Sequence, residues 1–138
     1  MHNRQVTILL ADDDAEDREL LHEALRAIDP AIQVIMAKNG AEVIEYLTGC
    51  DIDHFPSLII LDFNMPLVNG LEVLVKMGKE KKYANIPRVI YSTSDAPFHI
   101  DLCIQAGAGK YFVKPNHRKE LLPVAQEMVN MVKMNKPQ

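Results

Sequence analysis

The sequence predicts an α/β domain in which a five-stranded parallel sheet carries helices on its two faces. Five short apolar runs rich in β-branched residues begin near Val6, Ile32, Leu58, Arg88 and Lys110. Their starts are separated by 26, 26, 30 and 22 residues, too far for hairpins, and each gap holds one amphipathic stretch of helical period. The runs are apolar at consecutive positions, which is expected of strands that are buried on both faces of a parallel sheet.

Five helices are predicted from apolar periodicity and from the signals at helix ends. The first follows the acidic triplet at 12–14 and ends at Asp29-Pro30, the second runs from about Gly40 to Leu47, the third begins near Asn69, the fourth spans roughly Pro97 to Ala106 before Gly107, and the fifth runs from about His117 to Met134. Residues 49–56 are expected to form a surface loop.

The last helix is the least regular of the five. Pro123 should either kink it or lie in the first turn of its regular part. Its apolar set is wider than one buried stripe, and we interpret it as a thick core face. The alternative is a partner surface, which includes a homodimer through the C-terminal helices.

Length and composition indicate one soluble domain at 1–138, with a core at about 5–134 and a frayed tail at 135–138. A net charge of −4 without a Lys/Arg stripe argues against nucleic acid as a partner. No apolar stretch approaches the roughly 20 residues that a membrane span needs. Two isolated thiols, Cys50 and Cys103, and the lack of an apolar signal region predict a cytoplasmic protein.

Polar side chains follow four of the predicted strands at the point where each strand ends. Asp12 and Asp13 follow the first strand, Asp62 the third, Ser92 the fourth and Lys114 the fifth. Ligands of open α/β sheets bind beyond these strand ends. Two acids to hold a cation, one acid to react, and a hydroxyl and an amine to meet an anion together predict a phosphoryl-transfer site.

The acidic triplet has two interpretations. Three carboxylates in one crevice raise one another's pKa unless a cation is present, and Mg²⁺ prefers a few carboxylates together with waters and a phosphate oxygen. Helix capping is the simpler alternative, and we expect Asp14 to cap the first helix. Capping does not account for Asp12 and Asp13 together, so for these two residues metal binding and capping stay about equally favoured by the triplet alone.

Asp62 taken alone is also ambiguous. It could be the metal-holding acid of a nucleotide site, but that site needs a phosphate loop. The nearest fragment, 107–111, has no glycine at position 104 and no Ser/Thr after its lysine. A carboxylate can instead be the nucleophile. Ser92 alone could be a turn residue and Lys114 a snorkelling strand-end lysine, so only the joint arrangement favours phosphoryl chemistry.

This joint arrangement resembles the receiver domain of bacterial two-component response regulators, from about Gln5 to Met134. The motifs that carry the resemblance are Leu10-Ala11-Asp12-Asp13-Asp14, Leu61-Asp62-Phe63-Asn64-Met65-Pro66, Ser92 with Thr93, and Tyr111-Phe112-Val113-Lys114-Pro115. The spacings of 30 residues from Asp62 to Ser92 and 52 to Lys114 also fit the family. The resemblance implies a flavodoxin-like doubly wound sheet of strand order 2-1-3-4-5.

The resemblance also implies roles for individual residues. Asp62 would accept a phosphoryl group from the phosphohistidine of a histidine kinase, and Ser92 and Lys114 would bind phosphoryl oxygens. The implied Mg²⁺ ligands are Asp13, Asp62, the backbone carbonyl of Asn64, and Asp12 through water. In the implied switch Ser92 moves towards the phosphate, Tyr111 turns inward, and Pro115 forms a cis peptide bond with Lys114. Such a protein is a phosphoacceptor that assists its own phosphorylation and dephosphorylation, and it is not an enzyme.

The chain departs from the common pattern of this family at three points. Ala11 replaces a usual valine, which we expect to be harmless. The loop at 49–56 is longer than in minimal receivers and resembles that of stand-alone regulators that partner phytochrome-type kinases. No output domain follows, so we expect a stand-alone regulator that signals to an unknown downstream protein by changing its partner-binding surface.

Three other classes of protein share some of these sequence features. A haloacid-dehalogenase-type phosphatase has a second aspartate two residues after the nucleophile, where this chain has Asn64, and its acidic pair follows the nucleophile instead of preceding it. A receiver-like binding module that is never phosphorylated is disfavoured by the intact set of site residues. A flavin-binding sheet protein is disfavoured because an acid-lined crevice repels a flavin phosphate.

Overall fold

The computed structural model describes residues 5–134, and these contain one parallel sheet. Its strands are β1 (Thr7–Ala11), β2 (Gln33–Ala37), β3 (Leu58–Leu61), β4 (Arg88–Ser92) and β5 (Lys110–Val113). Their order is β2-β1-β3-β4-β5, and all four neighbouring pairs are parallel. The predicted flavodoxin-like fold and the strand order implied by the resemblance are therefore confirmed.

Within residues 5–134, five α-helices connect or follow the strands. They are α1 (Ala15–Ile28), α2 (Gly40–Thr48), α3 (Gly70–Gly78), α4 (Pro97–Gln105) and α5 (Leu121–Met134). Four begin or end within about one residue of their predicted bounds, and the loop at 49–56 contains a short 3₁₀ turn, Ile52–His54. No helix within residues 5–134 is long and apolar enough to cross a membrane. The tail predicted to fray, 135–138, lies outside the described residues.

Helix α5 begins later than the predicted His117. Residues Arg118–Glu120 form a 3₁₀ turn, and Pro123 lies in the first turn of α5. Proline fits there because the first N–H groups of a helix have no intrahelical acceptor. Five of its apolar side chains are buried in the core, namely Leu121, Ala125, Met128, Val129 and Val132. The core interpretation of this helix is thus confirmed for most of its described stripe, while Leu122 is exposed.

The core consists of two apolar layers, one on each face of the sheet. Ile8 and Leu10 of β1 pack towards α1 and α5, whereas Leu9 and Ala11 pack into the layer with α2, α3 and α4. Consecutive apolar residues are therefore buried on opposite faces, as the strand pattern predicts. This burial holds the strand ends rigidly at one edge of the sheet.

Side-chain caps fix the loops at this edge. Asp14 caps α1, its Oδ1 accepting from the N–H of Asp17 at 3.0 Å, so that prediction is confirmed. Asn69 and Glu72 form a reciprocal capping box at the start of α3. The caps satisfy N–H groups that a helix start leaves unpaired. They also set where the loops after β1 and β3 turn.

Candidate functional site

Asp12 and Asp62 are placed by main-chain bonds that continue the sheet one residue beyond the strand ends. The N–H of Asp12 donates to the carbonyl of Ala37 at 3.1 Å, and the N–H of Asp62 donates to that of Ala11 at 2.9 Å. The two aspartates are 1% and 6% exposed. Two acidic side chains are therefore buried side by side at the carboxyl edge of adjacent strands.

Asp13 completes an acidic cluster with these two residues. One carboxylate oxygen from each of Asp12, Asp13 and Asp62 lies within 4.8 Å of the others, and Asp13 is exposed. An all-carboxylate set of oxygen ligands with one side open to water fits a hard divalent cation that keeps part of its hydration shell. The sequence prediction that these three acids converge agrees with this geometry.

Lys114 contacts two members of the cluster and one further acid. Its Nζ lies 2.7 Å from Asp12 Oδ2, 2.8 Å from Asp17 Oδ2 and 3.1 Å from Asp62 Oδ2. An ammonium has three N–H donors, so each donor faces a different carboxylate. The amine also lies 5.5 Å from the centre of the Tyr91 ring. The lysine is thus the counter-ion of the acidic site.

The pKa of Lys114 and the pKa of Asp12 are both raised, for different reasons. Burial acts to lower the pKa of Lys114, but its bonds to Asp12 and Asp17 and the charges of Asp12 and Asp62 outweigh that effect and raise it. Burial raises the pKa of Asp12 to about 6, although bonds from Lys114 and the Asp14 N–H oppose the rise. Asp12 has to share one ammonium with two other carboxylates, so its own charge is only partly compensated.

The carboxylate of Asp62 is oriented from two sides. Its Oδ1 accepts from the N–H of Asn64 at 3.2 Å, and its Oδ2 faces Lys114. Asn64 itself is exposed. Oδ1 is therefore held by the turn after β3, while Oδ2 is held by the Lys114 ammonium.

Gly70, the first residue of α3, allows this turn to lie close to the helix. A Cβ atom here would overlap the carbonyl oxygen of Asp62 and lie 3.2 Å from Phe63 Cα. Backbone atoms cannot yield as a flexible side chain can. We predict that Gly70→Ala displaces the Asp62 turn and lowers the free energy of unfolding by about 1–3 kcal/mol, measured by urea denaturation.

Gly78→Ala is the matched control for this prediction. Gly78 ends the same helix, and a Cβ there would meet nothing within 4 Å. Replacing glycine by alanine in an open helical position is expected to be neutral or to stabilise by up to about 1 kcal/mol. Equal unfolding midpoints for the two variants would contradict the close approach at Gly70.

Ser92 and Tyr111 are tied to the chain around the end of β4. Ser92 is fully buried, its carbonyl accepts from the Lys114 N–H at 2.7 Å, and its Oγ accepts from the Ser94 N–H at 3.4 Å. The hydroxyl of Tyr111 donates to the carbonyl of Ser94 at 2.7 Å, and burial raises the pKa of this tyrosine. Both of these predicted switch residues are therefore hydrogen-bonded to Ser94, just after the end of β4.

The predicted cis peptide bond between Lys114 and Pro115 is wrong for this structure. The described residues contain no cis peptide bond. The trans isomer before proline is favoured by about 0.5–1 kcal/mol. With this bond in the trans form, Lys114 already reaches its three carboxylates.

The sequence analysis missed several contacts of the site. The carboxylate of Asp17 binds Lys114. Arg18 donates to the carbonyl of Asp12 at 2.6 Å. His99 stacks on Phe63, with ring centres 4.4 Å apart. Asp17 and Arg18 lie in the first turn of α1, next to the acidic triplet, which is the one sequence signal that could have pointed to them.

The fold and the site together define a class of protein. It has a parallel sheet of order 2-1-3-4-5, a buried aspartate after β3, an acidic cluster after β1 and a lysine after β5. A family model described as the response regulator receiver domain matches residues 8–126. The chain belongs to the family of response regulator receiver domains, as the resemblance indicated.

Similar proteins agree with this assignment. The two-component response regulator ARR16 of Arabidopsis thaliana is 31% identical over 124 residues, which cover 83% of this chain and 74% of the relative. A chemotaxis protein CheY homolog of Campylobacter jejuni is 31% identical over 108 residues, covering 78% and 80%. These relatives are response regulators of a plant and a bacterium.

Two solved structures of response regulators superpose well on this chain. The phosphorylated cyanobacterial phytochrome response regulator RcpA has a TM-score of 0.86 at 25% identity, covering 97% of this chain and 98% of its own. The Mn²⁺-bound response regulator Rcp1 has a TM-score of 0.78 at 26% identity, covering 88% and 90%. Receiver domains interact with histidine kinases, bind a divalent metal at an acidic pocket and are typically non-enzymatic phosphoacceptors.

Proposed function

We propose that this chain accepts a phosphoryl group on Asp62 from a histidine kinase in a Mg²⁺-dependent reaction. The observation that supports this most directly is the position of the Asp62 carboxylate. It is buried, it belongs to the cluster that can hold a cation, and its Oδ2 faces the Lys114 ammonium. A nucleophilic carboxylate, a metal site and a cationic group thus meet at one point.

In the proposed step a carboxylate oxygen of Asp62 attacks phosphorus. The bond from phosphorus to the imidazole nitrogen of the donor breaks, its electron pair stays on that nitrogen, and an acyl phosphate forms on Asp62. Lys114 would bind a phosphoryl oxygen as a point charge, and the Ser92 hydroxyl would donate a hydrogen bond to another.

The metal in this proposal is held by residues of the acidic cluster. Asp13, Asp62 and the backbone carbonyl of Asn64 would be direct ligands, and Asp12 would bind through water. When bound, Mg²⁺ neutralises charge on the phosphoryl oxygens. We propose Mg²⁺ because a cluster that offers a few carboxylate oxygens and is open to water on one side would suit it.

Asn64 sets what happens after transfer. It lies two residues beyond Asp62, where a carboxylate would be able to act as a general base, and its amide cannot do so. We therefore expect hydrolysis of the acyl phosphate to depend on water or on a separate phosphatase, and we do not expect turnover of free phosphomonoesters.

The proposed partner is a kinase of the phytochrome type. Similarity to RcpA, whose title names a phytochrome response regulator, supports this, as does the loop at 49–56. The phosphorylated chain would signal by a changed partner-binding surface. We further propose that it acts in the cytoplasm, where its two unpaired cysteines would stay reduced.

The test is incubation with phosphoramidate, with and without Mg²⁺, followed by intact mass measurement. We expect one phosphoryl group per chain with Mg²⁺ and none when the metal is chelated. An unmodified mass with Mg²⁺ present would favour a phosphorylation-independent binding module. Steady release of phosphate from a free phosphomonoester would favour a phosphatase instead.

A further inference from the structure

Asp17 stands apart from the other partners of Lys114. Its Oδ2 lies 2.8 Å from the lysine Nζ, and its side chain is 34% exposed. Asp12 and Asp62, the other two partners, belong to the acidic cluster that can hold a cation, whereas Asp17 does not. Asp17 is therefore the only ion-pair partner of Lys114 found in the described residues that a bound metal would leave untouched.

A metal ion and Lys114 compete for the same two carboxylates. The ammonium is bonded to Asp12 at 2.7 Å and to Asp62 at 3.1 Å, the two buried members of the cluster. A divalent cation bound directly by Asp62 and through water by Asp12 would offset the negative charge of both carboxylates and repel a nearby ammonium. Cation binding should consequently weaken two of the three ion pairs of the lysine.

A cleft beside Lys114 gives a displaced ammonium access to water. Lys114 and Asp17 both line a cleft of about 470 Å³, which Glu16 and Arg118 also border. Lysine has a flexible stem and a strongly hydrated head, so an ammonium without a partner would turn into this cleft towards water. Asp17 lines this cleft, and its backbone is held in place because its N–H donates a hydrogen bond to Asp14 Oδ1.

We infer that Asp17 is a positioning residue that holds the Lys114 ammonium in the site while a divalent cation occupies the acidic cluster. The inference rests on the proposed function in so far as that function requires a bound metal. It adds that Asp17 lowers the cost of cation binding, because Lys114 keeps one partner when it gives up Asp12 and Asp62. The lysine then stays where an incoming phosphoryl oxygen can meet it.

The experiment is calorimetric titration of the whole protein with Mg²⁺ alone, at pH 8 and without phosphodonor. Asp17→Asn is expected to raise the dissociation constant about two- to fivefold, the upper part of the range for a partly exposed ion pair. Glu16→Gln is the matched control, since it removes one charge at the neighbouring position without touching a described ion pair. We expect its dissociation constant to change less than about twofold.

Variants that lack Lys114 separate positioning of the lysine from a direct effect of the Asp17 charge on the metal. Lys114→Met removes the competing ammonium, and we expect tighter Mg²⁺ binding than in the unmodified protein. Adding Asp17→Asn to Lys114→Met should then change the dissociation constant less than about twofold, because Asp17 acts through the lysine. A full loss of about two- to fivefold in that background would show that the charge of Asp17 acts directly on the metal, and it would overturn the inference.

The outcomes also separate this inference from the proposed function. If the unmodified protein binds Mg²⁺ and Asp17→Asn binds it as well as Glu16→Gln does, the positioning role is wrong and the proposed function stands. If the unmodified protein binds no Mg²⁺, both are overturned. If binding and the double variant behave as expected but phosphoramidate leaves the mass unchanged, only the phosphoacceptor proposal fails.

Discussion

Asp62→Asn is expected to abolish phosphoryl incorporation from phosphoramidate in the presence of Mg²⁺. The amide has nearly the shape of the carboxylate, but it lacks the charged oxygen that attacks phosphorus. It also removes one cluster member from the metal site. Intact mass spectra of this variant should show no added phosphoryl group over the time in which the wild-type protein becomes fully phosphorylated.

The variant should remain folded, so that loss of modification reports chemistry. Lys114 keeps Asp12 and Asp17 as partners, and the main-chain bond from residue 62 to Ala11 does not involve the side chain. Asp101→Asn, at an exposed position on α4, is the control and should be modified normally. Full incorporation into Asp62→Asn would place the acceptor elsewhere, and peptide mapping would then examine Asp13 first.

Asp12→Asn is expected to make the metal-free protein more stable at pH 7, by about 1–3 kcal/mol. Burial raises the pKa of Asp12 from 3.8 to about 6, so the folded chain binds this proton more tightly than the unfolded chain. Asp12 therefore lowers stability as the pH rises from about 4 to about 6, and the loss persists above that window. About two pKa units at about 1.4 kcal/mol each set the upper limit.

The measurement is urea denaturation of the two proteins in chelator between pH 4 and pH 7. The difference between their unfolding free energies should grow across this range and level off near pH 7. Mg²⁺ should stabilise the unmodified protein and have much less effect on Asp12→Asn. Asp13→Asn removes a charge from the same cluster at an exposed position, so it should leave most of the pH dependence in place. A pH-independent difference would contradict burial as the cause.

The elements that sequence predicted well are those with local causes. The strand starts agree within one residue because β1 and β3 carry consecutive apolar residues between polar turns. Asp14 and Asn69 mark the starts of α1 and α3 because a capping side chain bonds an N–H only two or three residues away. The start of α5 was less certain, since Pro123 suits either a kink or a first turn.

The candidate site was predictable in membership but not in its contacts. Parallel strands align their carboxyl ends, so Asp12, Asp62 and Lys114 could be expected together once the strand order was known. Which acids the lysine actually pairs with depends on distances of a few tenths of an ångström between separate elements. The Asp17 contact could for this reason not be predicted from the sequence.

The sequence by itself determined the alternation of strands and helices, the caps, and the set of polar residues that follow the strands. These follow from side-chain periodicity and from hydrogen bonds between near neighbours. Tertiary structure alone decided that Lys114 meets carboxylates 97 and 52 residues away, Asp17 and Asp62. It also decided that Asp12 is buried enough to hold its proton more tightly, because desolvation is created only when distant segments close over a charge.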